Sequence, residues 1–371
     1  MKKICILTFH RAINYGALLQ AYALQCKIKE FDIECDILDY DNLYFNEFYA
    51  TSWLQKGIST KKRIKLVYHL FRHPIKHRKA RKKYKKLVRF MKNNLKLSDY
   101  CISENIKDVI KNYEGVVVGS DQVWNISLSN YDSTYLLDFL DDDSNVKRLS
   151  YAASLGKSYI TGYEYDLMKK NLPKFNKLLI RENEGCSIVK NNFKLKCNNV
   201  LDPTLLHTKE FWHSKAKAPK EKNYILVYFV QSSNYIGKII EDLSEKENLE
   251  IISLSELNIN KKYKYIGDAG IEEFLGLIEY AKYVFVTSFH GFVFSIIFHK
   301  NFYYELSKKI PNNNSRMIDI AKVLNLSDRE ITSSEISLKP INYEYVDEKL
   351  SSLRNQSISL LKEELEDTEN E

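Results

Sequence analysis

The densest group of reactive side chains is Thr287-Ser288-Phe289-His290-Gly291, which follows the apolar run Val284-Phe285-Val286 and leads into an apolar helix. An imidazole titrates near neutral pH and can serve as acid or base. The N-terminus of the following helix attracts an anion. A lone histidine is usually structural, but one set among Ser, Thr and Gly at a strand-to-helix turn favours function. Arg316, after Asn312-Asn313-Asn314-Ser315 at a helix start, adds a second positive charge or is a plain surface arginine.

Four further places set polar residues just past an apolar strand. Gly119-Ser120-Asp121-Gln122-Val123-Trp124-Asn125 follows GVVV, and its donors and acceptors suit sugar hydroxyls. An ordinary strand-to-loop turn also looks like this. His10-Arg11 and Asn14-Tyr15-Gly16 precede a helix whose first N–H groups point at whatever lies beyond the strand, or form a tight turn with an Asn cap. Arg181-Glu182 ends a strand, where a planar guanidinium suits a carboxylate or phosphate; a simple surface pair is the alternative. Asp202-Pro203-Thr204 reads as a functional turn or a domain-edge turn, with Pro203 extending Asp202.

These positions need strands and helices to hold them. Strands are expected at Lys3–Phe9, Ile33–Asp39, Gly115–Gly119, Leu149–Ala153 and Lys177–Ile180 in the first half. The strand, Gly-containing turn, helix and strand at the start form a βαβ unit, so the sheet should be parallel. The polar stretch Lys215–Asn223 reads as an interdomain linker. Strands then recur at Tyr224–Val230, Leu249–Leu254, Tyr283–Thr287 and Phe302–Leu306. Helices fill the intervals at Tyr235–Lys246, Ile271–Ala281, Gly291–Phe298 and Ser315–Leu324, and residues 346–365 form a last helix. The expected fold is α/β: two Rossmann-like domains, 1–214 and 223–335, facing a cleft, then a helix and acidic tail over 340–371. Ligands bind such sheets at the C-terminal ends of their strands.

Composition narrows the classes. The chain has 371 residues with 44% apolar, which suits a folded protein of about two domains. Its six cysteines, at 5, 26, 35, 101, 186 and 197, form no C-x-x-C pair and read as reduced core residues of a cytoplasmic protein. His10 and Arg11 interrupt the N-terminal apolar stretch, so no secretion signal is expected. No Cys/His cluster has zinc spacing, and neither a metal nor a cofactor is expected. P-loop, G-x-G-x-x-G, G-x-S-x-G and H-E-x-x-H motifs are absent, which removes the main support for nucleotide hydrolases, dinucleotide oxidoreductases, serine hydrolases and zincins.

The net charge of +8 is local in origin. Residues 61–96 hold sixteen Lys/Arg and no acid, leaving 40 bases against 48 acids elsewhere. The pattern predicts two basic amphipathic helices around Pro74. Such a segment is a solvated face, a surface for anionic lipid, or a nucleic-acid contact; without a known binding motif the last is not expected. Glu363–Glu371 carries six acids in nine residues and reads as a fraying tail.

The set resembles the polysaccharide pyruvyl transferase family. The matching stretches are Asn14–Leu24, Val118–Asn125, Ser150–Gly156, Arg181-Glu182, Val200–Leu206, Ser288–Phe298 and Asn314–Leu324, in family order. The basic segment and the tail lie outside the resemblance. It implies a fold similar to the glycosyltransferase type B arrangement. It also implies transfer of pyruvate from phosphoenolpyruvate, as co-substrate, onto two hydroxyls of a sugar as a cyclic ketal, with release of phosphate. His290 would be the acid/base, with Asp121 as a second catalytic group. Arg181, Ser288, Phe289, Gly291 and Arg316 would hold the donor. Asn14, Tyr15, Gly16, Ser120, Gln122, Trp124 and Asn125 would line the acceptor site. Ser288 stands where some members carry Arg, and Thr287 where others carry Asp, which leaves Arg316, Arg11 or the helix N-terminus to meet the donor's charge.

The implied acceptor is a precursor of a surface polysaccharide, capsule or exopolysaccharide, carried on a lipid at the cytoplasmic membrane face. Residues 61–96 would then meet an anionic membrane. The runner-up is a glycosyltransferase using a sugar nucleotide in the same fold.

Overall fold

The computed structural model describes residues 3–55, 57–233, 235–257, 260, 262–307, 314–333 and 336–366. Two compact units account for the chain. The first comprises residues 1–72, 88–206 and 352–371, and the second residues 73–87 and 207–351. The chain-ordered ranges expected from the sequence are therefore crossed twice, by a stretch of the basic segment and by the C-terminal helix.

In the first unit the strands are β1 (Lys3–Leu7), β2 (Glu34–Tyr40), β3 (Leu97–Cys101), β4 (Gly115–Val118), β5 (Lys147–Ala153), β6 (Lys177–Ile180) and β7 (Asn198–Asn199). They form one sheet in the order β3-β2-β1-β4-β5-β6-β7, with every pair parallel. Ile4, Ile6, Val116 and Val117 are fully buried, because helices cover both faces of a parallel sheet. The helices are α1 (Tyr15–Lys29), α2 (Leu43–Phe48), α3 (Thr60–Arg72), α4 (Pro74–Asn94), whose residues up to Leu87 belong to the second unit, α5 (Ile106–Ile110), α6 (Gly162–Asn171) and α7 (Asn183–Phe193). Pro74 opens α4, where its missing N–H costs nothing.

The second unit holds β8 (Tyr224–Tyr228), β9 (Glu250–Ser253), β10 (Lys264–Tyr265), β11 (Tyr283–Val286) and β12 (Asn301–Tyr304). They too are all parallel, in the order β10-β9-β8-β11-β12. Its helices are α8 (Lys209–His213), α9 (Ile236–Glu247), α10 (Ile271–Glu279), α11 (Phe289–Ile297) and α12 (Ser315–Val323), followed by α13 (Tyr343–Glu366), whose last part belongs to the first unit. The stretch read as a linker packs within this unit. The Lys217 N–H donates to the Glu272 carbonyl at 2.8 Å, and a Cβ on Gly276 would meet the Lys217 carbonyl oxygen at 1.8 Å.

Both units are Rossmann-like, and each has one topological switch point. From β1 the chain builds outward through β2 and β3, then returns to add β4 on β1's other side. From β8 it builds through β9 and β10, then returns to add β11. The crevices beyond the C-terminal ends of β1/β4 and β8/β11 are where open α/β sheets bind ligands.

Two expectations change. The acidic tail does not fray at Glu363. That residue lies inside α13, Leu365 is fully buried, and Glu364 accepts from Lys177 Nζ at 2.9 Å. Residues 367–371 lie outside the described residues. The basic segment is split as well. Along α4, Lys76 pairs with Glu256, Lys82 with Asp268 and Lys86 with Glu273, while Lys79 donates to the Tyr265 carbonyl. Three lysines of this part of the run are thus paired with acids of the second unit.

Candidate functional site

At the first switch point, the turn after β4 is held from three sides. Thr8 Oγ1 donates to the Ser120 carbonyl at 3.0 Å, Gln20 Nε2 donates to Thr8 Oγ1 at 2.9 Å, and the Ser120 N–H donates to Gln20 Oε1 at 3.2 Å. Gly119 is required here. Its φ is +125°, and a Cβ would meet the Tyr151 carbonyl oxygen at 2.2 Å. The end of β1, the first turns of α1 and the end of β4 are thereby fixed to one another.

Next comes a layer of buried charge. Arg181 Nη1 lies 2.7 Å from Asp202 Oδ2, with both side chains almost fully buried, and Arg181 Nη2 is 3.9 Å from Asp121 Oδ1. Asp202 also accepts from Thr204 N–H and Oγ1 and from Ser120 Oγ. Glu182 accepts from Ser154 Oγ and from the N–H groups of Leu155 and Gly156. Asp202-Pro203-Thr204 is thus part of this layer, and not merely a domain-edge turn.

Asp121 stands above it, with a side chain 17% exposed and φ of +72°. Its Oδ1 accepts from the Gln122 N–H at 2.8 Å. Asn125 Nδ2 donates to Gln122 Oε1 at 3.3 Å. Asp121, Gln122 and Asn125 therefore form one polar rim over the Arg181–Asp202 pair. Asn14 caps α1 by accepting from the Ala17 N–H, and its amide donates to the Tyr49 hydroxyl at 3.2 Å. Burial pushes the Tyr49 phenol above its ordinary range, and the charge of Asp121 adds to this. Tyr49 was not legible as a site residue, because it sits in an irregular stretch far from the motifs.

Four expected acceptor residues do not face outward, Ser120 among them, fully buried with its hydroxyl on Asp202. Trp124 is fully buried and its indole N–H donates to the Tyr135 carbonyl at 3.1 Å. Tyr15 is 1% exposed, and Gly16 is buried in the first turn of α1. Arg181, expected at the donor, has Asp202 and Asp121 as the carboxylates facing its guanidinium. Arg11 likewise faces two carboxylates, 2.8 Å from Asp39 and 3.8 Å from Asp41.

At the second switch point, Thr287 Oγ1 accepts from the Val230 N–H at 2.9 Å and so ties the end of β8 to the end of β11. Ser288 caps α11, its Oγ accepting from the Gly291 N–H at 3.4 Å. A Cβ on Gly291 would come 2.8 Å from Val286 Cγ1, so the helix packs tightly on its strand. His290 lies in the first turn of α11, 8% exposed, with its ring edge-on to Phe289. The Arg316 guanidinium lies 5.2 Å from the Phe289 ring centre, in the first turn of α12. Asn314 positions that turn through paired bonds with the backbone of Ser307. Asn312 and Asn313 lie outside the described residues. The structure thus gathers Ser288, Phe289, His290, Gly291 and Arg316 in one unit, and Asp121, Gln122, Asn125, Ser120, Asn14 and Arg181 in the other.

A cavity of about 750 Å³ lies elsewhere, at the N-terminal edge of β4–β6 beside Glu114, Lys147 and Asn176, away from either switch point. Among the described residues no group of three His, Cys, Asp or Glu is placed to hold a metal ion. None of the described helices is long and apolar enough to cross a membrane.

Residues 14–304 match the sequence profile of the family described as polysaccharide pyruvyl transferase. No curated protein matches the chain. Among solved structures, a UDP-GlcNAc 2-epimerase from Neisseria meningitidis bound to UDP-GlcNAc is 11% identical over 98% of this chain and 99% of its own, with a TM-score of 0.51. The UDP-GlcNAc 2-epimerase from Methanocaldococcus jannaschii is 15% identical over 96% and 93%, with a TM-score of 0.42. ADP-heptose LPS heptosyltransferase II from E. coli is 10% identical over 96% and 99%, with a TM-score of 0.34. The Neisseria match concerns the fold alone, two Rossmann-like halves of the glycosyltransferase type B kind.

Proposed function

The chain belongs to the polysaccharide pyruvyl transferase family, and from that premise we propose that it moves pyruvate from phosphoenolpyruvate onto a sugar hydroxyl pair. One observation carries this reading: the two motif runs that bear its chemistry each end at the switch point of their own sheet. A fold of this class binds its ligands there.

The chemistry divides between the two groups. Phosphoenolpyruvate carries roughly three negative charges and needs cations or helix dipoles around it. Arg316, the N-terminus of α11 and a protonated His290 supply these in the second unit. One sugar hydroxyl oxygen attacks the enol carbon, its proton passing to the Asp121 carboxylate, while a proton is delivered to the methylene, making a methyl group. The carbon now bears carboxylate, phosphate and the sugar oxygen. A second hydroxyl oxygen attacks it, phosphate leaves with the electron pair of its bond, and the hydroxyl proton passes to a base. His290 is the acid for the methylene. Asp121 is the carboxylate suited to accept a hydroxyl proton, with Gln122, Asn125 and Tyr49 orienting the sugar.

The acceptor we propose is a lipid-carried precursor of a surface polysaccharide such as a capsule or exopolysaccharide. Thermal stability tests the donor. Phosphoenolpyruvate should raise the melting temperature of the purified chain, and His290→Ala or Arg316→Ala should weaken that rise. Stabilisation by UDP-sugars with none by phosphoenolpyruvate would move the reading to sugar-nucleotide glycosyl transfer.

A further inference from the structure

Helix α3 has no buried residue along its thirteen positions. Its most exposed stripe is not polar. Ile64, Tyr68 and Phe71, spaced to share one face, are 65%, 61% and 81% exposed. Lys61, Lys65 and Arg72 flank them, also exposed, and the helix contains no acid. In a water-facing helix this pattern is inverted, since the apolar stripe should be inward.

The stripe continues onto neighbouring segments. Arg63 donates to the carbonyls of Trp53 and Gln55, and Lys62 donates to the carbonyl of Phe48. These bonds hold Phe48, Trp53 and Leu54, 60%, 42% and 65% exposed, beside α3. Glu47, the acid of α2, is taken by Ser59 Oγ. The result is an apolar and aromatic patch rimmed by cations, with Glu47 the acid beside it.

We infer that α3 and the Phe48–Leu54 segment form a docking surface for an anionic lipid bilayer. Charge complementarity selects this occupant. An interfacial helix has low net hydrophobicity, a basic flank and aromatic residues at headgroup depth. Lys/Arg near an anionic leaflet add attraction that a neutral protein partner would not reward. Lys76, Lys82 and Lys86 of α4 face Glu256, Asp268 and Glu273, so the proposal rests on α3 and not on them.

The full chain carries its own reporter. Trp124 and Trp212 are fully buried, so a lipid-induced change in tryptophan emission arises from Trp53. With vesicles of phosphatidylcholine plus phosphatidylglycerol, the protein should co-sediment. Trp53 emission should shift to the blue and be quenched by brominated lipid. Vesicles of phosphatidylcholine alone should bind far more weakly. Replacing Lys61, Lys65 and Arg72 by Gln should lower partitioning by roughly two orders of magnitude. Replacing Ile64, Tyr68 and Phe71 by Ser should lower it at least about tenfold. Neither set touches the core, and an unchanged melting temperature confirms the fold. Absence of vesicle binding, or binding that ignores the Ser variant, would overturn the inference. So would duplex DNA binding in place of lipid, or a lipid-free dimer whose Trp53 emission is already blue-shifted. Vesicle binding is read without turnover, so its failure would leave pyruvyl transfer standing.

Discussion

Arg181 and Asp202 lie 2.7 Å apart in the interior of the first unit, where neither side chain reaches water. The pair sits directly beneath Asp121 and Ser120, at the end of β4. A buried pair is costly to break, because the surviving charge has lost its partner and cannot be solvated. Arg181→Ala should therefore destabilise the protein by about 3–5 kcal/mol, read from urea unfolding. If Arg181 instead served mainly to hold the donor, the variant would keep its unfolding midpoint and show only a raised KM for phosphoenolpyruvate.

Tyr49 and Asn14 provide a test of the acceptor side. Burial keeps the phenol protonated well past neutral pH, so it is a hydrogen-bond donor under all working conditions. Tyr49→Phe removes one hydrogen bond and should raise the KM for the sugar by roughly two- to tenfold. The KM for phosphoenolpyruvate should stay constant. Equal effects on both substrates would place Tyr49 outside the acceptor site.

The strand pattern that carries these residues was largely readable. Gly115–Val118 and Lys177–Ile180 are short apolar runs, because a parallel sheet covered on both faces permits little else. Edge strands β3, β7 and β10 were not, since LSDYC, NN and KY lack such runs. The site followed the same logic. Polar residues past a strand marked the switch points, but side-chain direction was hidden. Trp124 and Tyr15 lie in the segments singled out and point into the core, Asp202 was marked only as a possible turn, and Tyr49 comes near Asn14 only through the fold. The two halves of the basic run are alike in composition and differ in what meets them: acids along α4, none along the outer stripe of α3.

Asp39 governs part of the acid stability. Burial alone would raise its pKa, but the hydrogen bond from His10 and the charge of Arg11 outweigh this and leave it lowered. A carboxylate depressed on folding adds stability above its unfolded pKa, and that contribution fades as pH falls through the folded value. Urea midpoints should thus drop as the pH is taken below about 5, and Asp39→Asn should flatten that limb. A variant with the same acid slope as the parent would assign the loss to other carboxylates.

Gly119→Ala probes the turn itself. A methyl group there collides with the Tyr151 carbonyl in a backbone conformation that L-residues rarely adopt. The variant should melt at a lower temperature and lose turnover together with stability. A normally stable, active G119A protein would mean that the turn is less constrained than its bonds to Thr8 and Gln20 imply.

The most direct measurement follows the donor's carbon in heavy water. Enzyme, phosphoenolpyruvate and an acceptor oligosaccharide are incubated in D2O, and the product is read by mass spectrometry and NMR. Pyruvyl transfer predicts a sugar-bound ketal whose methyl carries one solvent deuteron, with phosphate released in equal amount, and His290→Ala should slow this at least about a hundredfold. Sugar modification that needs a sugar nucleotide and leaves phosphoenolpyruvate intact would contradict it.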